Sequence, residues 1–288
     1  MTGARGQLGS EVVRSLQDAG MTALAPARDE LDFLLPDSIA TCIARLRPDW
    51  IVNCAAYTQV DRAESEPETA FAVNRDAAGR LAQAAVARGA RLLHVSTDFV
   101  FNGRQTRPYR ETDAPDPLGV YGRSKLEGEA AVVAALPDAA IVRTAWVYGV
   151  HGHNFVKTML RVAGQGKPLR VVADQIGSPT WAADIAAALL RLLAAQAHGV
   201  YHFAGAGQTS WHGFAQAILD RAVACGFDLA TRTVEPITTA DYPTAAVRPA
   251  YSVLDTGKIA GIPGVVVPAW QDSLENMLKE LRTCADCW

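Results

Sequence analysis

The segment Tyr121-Gly-Arg-Ser-Lys125 places a phenol and an ammonium group four residues apart. On a helix, side chains at positions i and i+4 lie on one face, so this spacing predicts that the two groups are neighbours. A free tyrosine has a pKa of about 10, too high for efficient proton transfer near neutral pH, and a nearby cation lowers it. The pair therefore predicts a general acid, Tyr121, tuned by Lys125, although a surface pair without a role would have the same spacing.

Polar side chains follow the predicted strands at the points where these end. Ser96, Thr97 and Asp98 come after a strongly apolar run, and in open α/β sheets ligands bind at the carboxyl ends of strands. Thr97 could donate a hydrogen bond to a developing alkoxide or orient the phenol, whereas a simple strand-end cap is the alternative. Residues 53–58 end the preceding strand, and Trp146 follows the next one, where its indole could cover a sugar ring or belong to the core.

Gly3, Gly6 and Gly9 are spaced three residues apart. Glycines at this spacing permit a tight turn, a close approach of the backbone to a pyrophosphate, and close packing of the following helix, whose N–H groups face the phosphates. A plain turn is the alternative interpretation. Only Met1 and Thr2 precede the motif, so we expect the first strand of the sheet to be truncated, because the chain start was cut or wrongly assigned.

Residues 26–30 decide which nicotinamide cofactor would bind. Arg28 could pair with the 2′-phosphate of NADPH, while Asp29 or Asp32 could accept a hydrogen bond from the free ribose hydroxyl of NADH or from the adenine amine. The residues leave NADPH and NADH open.

These residues must be positioned by a sheet and its helices. Apolar β-rich runs at residues 22–27, 50–56, 91–97 and 139–147 alternate with amphipathic stretches at residues 7–19, 37–47, 66–88 and 117–135. Strands that are apolar on both faces and alternate with helices predict an α/β fold, a Rossmann-type doubly wound parallel sheet.

The pattern loosens after about residue 150, where glycine and proline become frequent. We expect helices near residues 181–195, 210–224 and 269–281 in a smaller C-terminal substrate lobe, and a strand near residues 199–204 that rejoins the first sheet. The predicted organisation is a dinucleotide-binding Rossmann domain over residues 1–150 and a mainly substrate-binding lobe over residues 151–288.

Composition excludes several classes of partner. The net charge of −3 over 288 residues gives no basic field for nucleic acid. No apolar run reaches the roughly 18 residues that predict a membrane span. The odd number of scattered cysteines, five, and the lack of a signal peptide favour a reducing compartment, so we expect a cytoplasmic protein.

Histidine and cysteine spacing predicts no metal site. His151 and His153 are best interpreted as part of a solvated loop, because no carboxylate lies at a ligand spacing from them. Cys284 and Cys287 form a close pair, but no second pair or nearby histidine completes four ligands, so we expect an inert tail.

Taken together, the motifs resemble those of the extended short-chain dehydrogenase/reductases, and within them the dTDP-4-dehydrorhamnose reductases. The resemblance covers essentially the whole chain. The motifs that carry it are residues 2–9, 53–61, 96–101, 121–129, 143–148, 174–180, 201–205 and 248–252.

The resemblance implies roles for the matched positions. Tyr121 would be the proton donor, Lys125 would bind the nicotinamide ribose and tune Tyr121, and Thr97 would complete the triad. The implied cofactor contacts, beside Tyr121 and Lys125, are Gly6, Gln7 and Leu8 at the pyrophosphate, Asp32 and Phe33 near the adenosine, and Ala56, Tyr57, Thr58 and Val95 along the cofactor. The implied sugar contacts are Thr97, Asp98 and Trp146.

The implied reaction reduces the C4 ketone of dTDP-4-dehydro-L-rhamnose, a nucleotide sugar, in the last step of dTDP-rhamnose biosynthesis for polysaccharides. The resemblance also allows a magnesium ion and a homodimer. Phe99 stands where this family usually has tyrosine, which removes one hydroxyl near the sugar nucleotide.

Two other functions fit the same fold. One is a sugar-nucleotide epimerase or dehydratase of the same superfamily, although such dehydratases carry a glutamate where this chain has Phe99. The other is a non-catalytic regulatory subunit of methionine adenosyltransferase, which would have no need for Thr97, Tyr121 and Lys125.

Overall fold

A computed structural model describes residues 1–284, and a parallel sheet of four strands lies at the centre of its N-terminal part. The helices of the described chain are α1 (Gln7–Asp18), α2 (Pro36–Leu46), α3 (Val60–Ala63), α4 (Pro67–Phe71), α5 (Ala77–Arg88), α6 (Val120–Ala135), α7 (Phe155–Gly164), α8 (Ala182–Ala194), α9 (Trp211–Ala224), α10 (Gly257–Ala260) and α11 (Trp270–Thr283). The strands are β1 (Trp50–Asn53), β2 (Arg91–Thr97), β3 (Ala140–Thr144), β4 (Val147–Tyr148), β5 (Leu169–Val172), β6 (Ile176–Gly177), β7 (Thr180–Trp181), β8 (Gly199–His202), β9 (Thr209–Ser210) and β10 (Val234–Ile237).

The four parallel strands follow the order β1–β2–β3–β8. Successive side chains of a strand point to opposite faces, and both faces are apolar here. Val52 and Leu93 pack with α1 and α8 on one face, whereas Ile51 and Leu92 pack with α2 and α5 on the other. Helices on both faces make this the predicted doubly wound sheet.

The segment of residues 22–27, which we expected to be a strand, is not one. Thr2 makes a parallel bridge with Asn53, and its N–H donates to the Val52 carbonyl at 2.9 Å, so Thr2 lies beside β1. The Met1 ammonium donates to the Leu24 carbonyl at 2.9 Å. With one such hydrogen bond and no regular ladder, residues 22–27 lie next to the sheet without joining it.

The helix expected over residues 66–88 is interrupted. A π-helical turn, Ala72–Asp76, separates α4 from α5. The Asn74 side chain accepts from the Tyr57 N–H at 2.8 Å and donates to the Tyr57 carbonyl at 3.1 Å. The π-helical turn thus contains Asn74, which binds the backbone of Tyr57. Such turns occur frequently at functional sites.

The C-terminal part has its own core, in which α7, α9 and α11 pack against β5 and the parallel neighbour β10. The sequence pattern did not predict α7, β5 or β10. The strand β8 returns to the first sheet beside β3. Of the cysteine pair expected to form an inert tail, Cys287 lies outside the described residues.

Within residues 1–284, no helix is long and apolar enough to cross a membrane. The same residues contain no group of three or more histidine, cysteine and carboxylate side chains placed to bind a metal ion.

Candidate active site

Two neighbouring cavities open at the carboxyl ends of the parallel strands. The first has a volume of about 750 Å³, and the second, on the side of residues 25–34, has about 710 Å³. The sequence-predicted residues that line the first are Gly3, Gly6, Gln7, Leu8, Gly9, Ala56, Thr58, Val95, Thr97, Asp98, Tyr121, Lys125 and Trp146. Those that line the second are Gly3, Arg28, Asp32, Phe33, Ala56 and Tyr57. All candidate site residues except Asp29 thus line one or both of these cavities, which share Gly3 and Ala56.

The glycine loop has the shape that a pyrophosphate requires. Gly3 has a φ of 68°, which favours glycine, and a Cβ at Gly9 would overlap the Gly3 carbonyl oxygen. Gly6 is the N-cap of α1 and makes no side-chain capping hydrogen bond. A Cβ there would have a single neighbour, the Gly3 oxygen at 3.3 Å. The first N–H groups of α1 lack helical partners and lie at the positive end of the helix dipole, so the loop fits a dinucleotide phosphate.

Tyr121 and Lys125 lie on the first two turns of α6, and both line the first cavity. The pKa of Tyr121 is raised to about 12, because its burial outweighs the hydrogen bond with Thr97, and the Asp98 charge raises it further. We expected Lys125 to lower this pKa, and that expectation is wrong for this structure. The phenol is therefore protonated throughout the neutral range.

Lys125 is buried, and its side-chain nitrogen is directed at β2. Its Nζ donates to the Val95 carbonyl at 2.7 Å and lies 3.4 Å from His94 Nε2. Burial lowers the pKa of Lys125 to about 8, although Glu129 and Cys54 act in the opposite direction. The sequence predicted the shared helix face correctly but gave no information on the partners across the sheet.

Thr97 is the last residue of β2 and Asp98 follows it, and both are buried. The Thr97 hydroxyl donates to Asp98 Oδ1 at 3.1 Å and accepts from the Phe99 N–H at 3.2 Å. Burial raises the pKa of Asp98 to about 6, with hydrogen bonds from Ser252 and Thr97 opposing that shift. Phe99, at the position where the resembled family has tyrosine, meets Tyr121 edge to face with ring centroids 5.4 Å apart.

A third cavity of about 300 Å³ adjoins the first and is mostly apolar. Phe155, Trp211 and Arg248 line both cavities, and sequence reasoning assigned no role to any of them. Arg248 binds Asp61 through two hydrogen bonds, of 2.6 and 3.0 Å. In the sequence, Arg248 stood out only because it begins residues 248–252, one of the motifs that carry the resemblance.

The second cavity contains basic side chains. Arg5, Arg28 and Arg62 line it together with Asp32 and Glu66. The Glu66 carboxylate accepts hydrogen bonds from the Tyr57 hydroxyl at 2.8 Å and from Arg62 Nε at 2.6 Å. Arg28 makes no ion pair among the described residues, and its guanidinium is available to a ligand.

Comparison with known proteins gives consistent matches over nearly the whole chain. A family model described as the RmlD substrate binding domain matches residues 1–283. The dTDP-4-dehydrorhamnose reductase of Aggregatibacter actinomycetemcomitans is 45% identical over 284 residues, which are 96% of this chain and 97% of that protein.

Two solved structures are similar over nearly their full length. A dTDP-4-dehydrorhamnose reductase from Clostridium acetobutylicum has a TM-score of 0.93 at 35% identity, covering 98% of both chains. A protein of the same name from Bacillus anthracis, solved in complex with NADP, has a TM-score of 0.92 at 36% identity, covering 97% of both chains.

Proposed function

The chain belongs to the family described as the RmlD substrate binding domain, and from that membership we propose that it is a dTDP-4-dehydrorhamnose reductase. It reduces the C4 ketone of dTDP-4-dehydro-L-rhamnose to dTDP-L-rhamnose with a nicotinamide cofactor, the last step of dTDP-rhamnose biosynthesis. The observation that supports this best is the meeting of the glycine loop with Thr97, Tyr121 and Lys125 around one cavity.

The chain's own residues supply a proton and hold the reacting groups, while the reduced nicotinamide supplies hydride. Tyr121 donates its proton to the oxygen at C4, and its high pKa keeps that proton in place until the oxygen becomes a strong base. The Thr97 hydroxyl lies beside the phenol and can donate to the same oxygen. Lys125 holds the nicotinamide ribose.

We propose NADPH as the preferred cofactor, with NADH as the second. The Arg28 guanidinium lines the second cavity and can pair with a 2′-phosphate, while Asp32 and Phe33 contact the adenosine. Replacing Arg28 with alanine should weaken NADPH binding more than NADH binding, as measured by titration of each cofactor. Equal losses for both cofactors would contradict this role.

The sugar nucleotide spans the first and third cavities. Asp98 and Trp146 hold the sugar, and the apolar third cavity, with Arg170 and Arg248 at its walls, accepts the nucleotide part. Residues 1–150 then form the dinucleotide-binding domain, and residues 151–288 mainly the substrate lobe. A cytoplasmic location, a homodimer and a bound magnesium ion are further proposals from the family resemblance.

The comparisons favour the reductase over an epimerase, a dehydratase or a regulatory subunit, because the similar proteins bear the reductase name. The test is incubation of the purified chain with dTDP-4-dehydro-L-rhamnose and NADPH, then NADH. We expect cofactor oxidation and a product two hydrogens heavier by mass spectrometry. Cofactor binding without any oxidation would favour the regulatory subunit.

A further inference from the structure

His94 is a buried side chain that the proposed chemistry leaves without a role. It lies on β2 with 1% of its surface exposed. Its ring connects two groups: Nε2 lies 3.4 Å from Lys125 Nζ, and Nδ1 lies 2.9 Å from Asn53 Nδ2. A neutral imidazole has one N–H and one lone pair, so the partner of Nδ1 determines what Nε2 presents to Lys125.

The orientation of the Asn53 amide is fixed by two donors. Asn53 Oδ1 accepts from the Thr2 hydroxyl at 2.6 Å and from the Ala55 N–H at 3.2 Å. A backbone N–H can only donate, so the oxygen must lie on that side and the NH₂ group on the side of His94. Asn53 therefore donates to His94 Nδ1, and the imidazole proton is on Nε2.

The Nε2–H bond then points at the side-chain nitrogen of Lys125. A second Lys125 contact is the Val95 carbonyl, which accepts from Nζ at 2.7 Å. An ammonium group has no lone pair to accept from His94, whereas a neutral amine donates to Val95 and accepts from Nε2–H at the same time. The geometry thus matches the amine better than the ammonium.

We propose that His94 is a positioning residue for the reduction: oriented by Asn53, it directs Nε2–H at Lys125 Nζ and stabilises the neutral amine. The contacts of Lys125 Nζ with His94 and with the Val95 carbonyl together hold the amine at one place in the cavity. The role of Lys125 in the reaction rests on the proposed function, but the tautomer of His94 does not.

The titratable groups that face Lys125 come from three elements. They are Cys54 after β1, His94 on β2 and Glu129 on α6, while Tyr121, one helical turn before Lys125, lines the same cavity. Burial lowers the pKa of Lys125 to about 8, against the effects of Glu129 and Cys54. Burial and Lys125 together hold the pKa of His94 well below its usual value, so the imidazole is neutral while Lys125 titrates.

His202 provides a matched control within the same chain. It is also buried, but its Nδ1 lies 3.0 Å from the Tyr109 carbonyl, and its Nε2 lies 3.5 Å from Arg143 Nη1. A carbonyl only accepts, so Nδ1 carries the proton and Nε2 accepts from the guanidinium. The two buried histidines should therefore be opposite tautomers.

The first experiment is ¹⁵N NMR of the unliganded wild-type protein with labelled histidine, with His94 and His202 assigned through their glutamine variants. We expect a protonated Nε2 at His94 and a protonated Nδ1 at His202. A protonated Nδ1 at His94 overturns the proposal. This readout involves no substrate, so it is independent of whether the chain is a reductase.

The second experiment titrates Lys125 by ¹³C NMR, which is practical because the chain has few lysines. In His94→Gln the side-chain oxygen can accept from the ammonium, so the Lys125 midpoint should rise by about one pH unit or more, with His202→Gln unchanged. The high-pH limb of the kcat/KM profile should move with it. An unchanged Lys125 midpoint in folded His94→Gln overturns the proposal. If that variant does not fold, the proposal stands or falls on the tautomer of His94 measured by ¹⁵N NMR in the wild-type protein.

Discussion

The indole of Trp146 lies flat on the indole of Trp211, with ring centroids 3.6 Å apart and ring planes inclined by 8°. Trp146 follows β3 and Trp211 begins α9, so this stack joins the first sheet to the C-terminal core at the wall between two cavities. Trp146 has a φ of 46°, a left-handed conformation that costs a bulky residue about 1–2 kcal/mol. The surrounding structure must maintain this geometry, and Gly177 is part of it, since a Cβ there would overlap the Trp146 ring.

Gly177→Ala should therefore displace the Trp146 indole and disturb the sugar site. We expect KM for the sugar nucleotide to rise by about tenfold or more, a loss of about 1.4 kcal/mol, with Kd for the cofactor unchanged. Steady-state kinetics and cofactor titration measure the two effects. Gly164→Ala is the matched control, because a Cβ at Gly164 has no neighbour within 4 Å. A parallel loss of cofactor binding in Gly177→Ala would show that the stack does not act on the sugar site alone.

Tyr121→Phe removes the proposed proton donor while keeping the ring that packs against Phe99. Turnover should fall by roughly 10²–10⁴-fold, the usual contribution of a general acid, and the cofactor should still bind. Tyr201→Phe serves as control, since Tyr201 is buried on β8 and does not line the cavities described above. Undiminished turnover in Tyr121→Phe would exclude this tyrosine as the acid.

Alanine substitutions at Gly6 and Gly9 should have different effects, the first on cofactor binding and the second on stability. A Cβ at Gly6 would face the cavity with one neighbour at 3.3 Å, whereas a Cβ at Gly9 would overlap the Gly3 carbonyl. Gly6→Ala should weaken cofactor binding by about tenfold or more with little change in Tm, because the methyl group takes the place of a phosphate oxygen. Gly9→Ala should lower Tm by several degrees, since backbone must move. Similar changes in Tm for both variants would contradict this division.

Much of this site could be predicted from the sequence because its residues depend on local geometry. The spacing of Tyr121 and Lys125 fixes a helix face, and Thr97 ends an apolar strand, so neither prediction needs tertiary contacts. The pKa of Tyr121 could not be predicted in the same way, because burial by the whole fold determines it. Trp211 reaches the cavity from a helix in the C-terminal core, and no spacing in the sequence places it beside Trp146.

The interruption of the helix expected over residues 66–88 could not be predicted from the sequence either, because it depends on tertiary contacts. Asn74 sits in an alanine-rich segment with helical periodicity, and the π turn accompanies its long-range hydrogen bonds to the Tyr57 backbone and the Ser124 hydroxyl. The segment of residues 22–27 has strand-like composition, but strand formation also needs a partner, and one hydrogen bond from Met1 does not supply a ladder.

Asp98→Asn tests the cost of a buried carboxylate. Burial raises the pKa of Asp98 from 3.8 to about 6, so the folded protein binds more protons than the unfolded chain between these values. The contribution of Asp98 to the free energy of unfolding therefore falls by about 2–3 kcal/mol as pH rises from about 4 to 6. Asp98→Asn should be more stable than wild type at pH 8 by up to that amount, and the difference should shrink towards pH 4. Urea unfolding at both pH values measures it, with the exposed Asp228→Asn as control, and a difference independent of pH would refute this explanation.

Lys125→Met tests the opposite case, a buried base. The pKa of Lys125 falls from 10.5 to about 8 in the folded protein, so between these values the unfolded chain binds more protons than the folded one. The stability of the wild type therefore gains a contribution as pH rises from 8 towards 10.5, of about 2–3 kcal/mol, while below pH 8 the buried ammonium carries its full cost. Lys125→Met lacks this dependence, so the variant's stability relative to wild type should be greatest below pH 8 and decrease as pH rises.

Urea unfolding of both proteins at pH 7, 8, 9 and 10 gives this difference directly, and the titration of Tyr121 cancels because both proteins contain it. The hydrogen bond from Nζ to the Val95 carbonyl is also lost, but over this range that loss adds a nearly constant offset and leaves the slope intact. Lys167→Met, at an exposed position, should show no such slope. Cofactor binding and turnover should both weaken in Lys125→Met, since the side chain holds the ribose. A stability difference that is flat between pH 7 and 10 would mean that Lys125 keeps its ordinary pKa in the folded protein, and the proposed stabilisation of its neutral amine would fail with it.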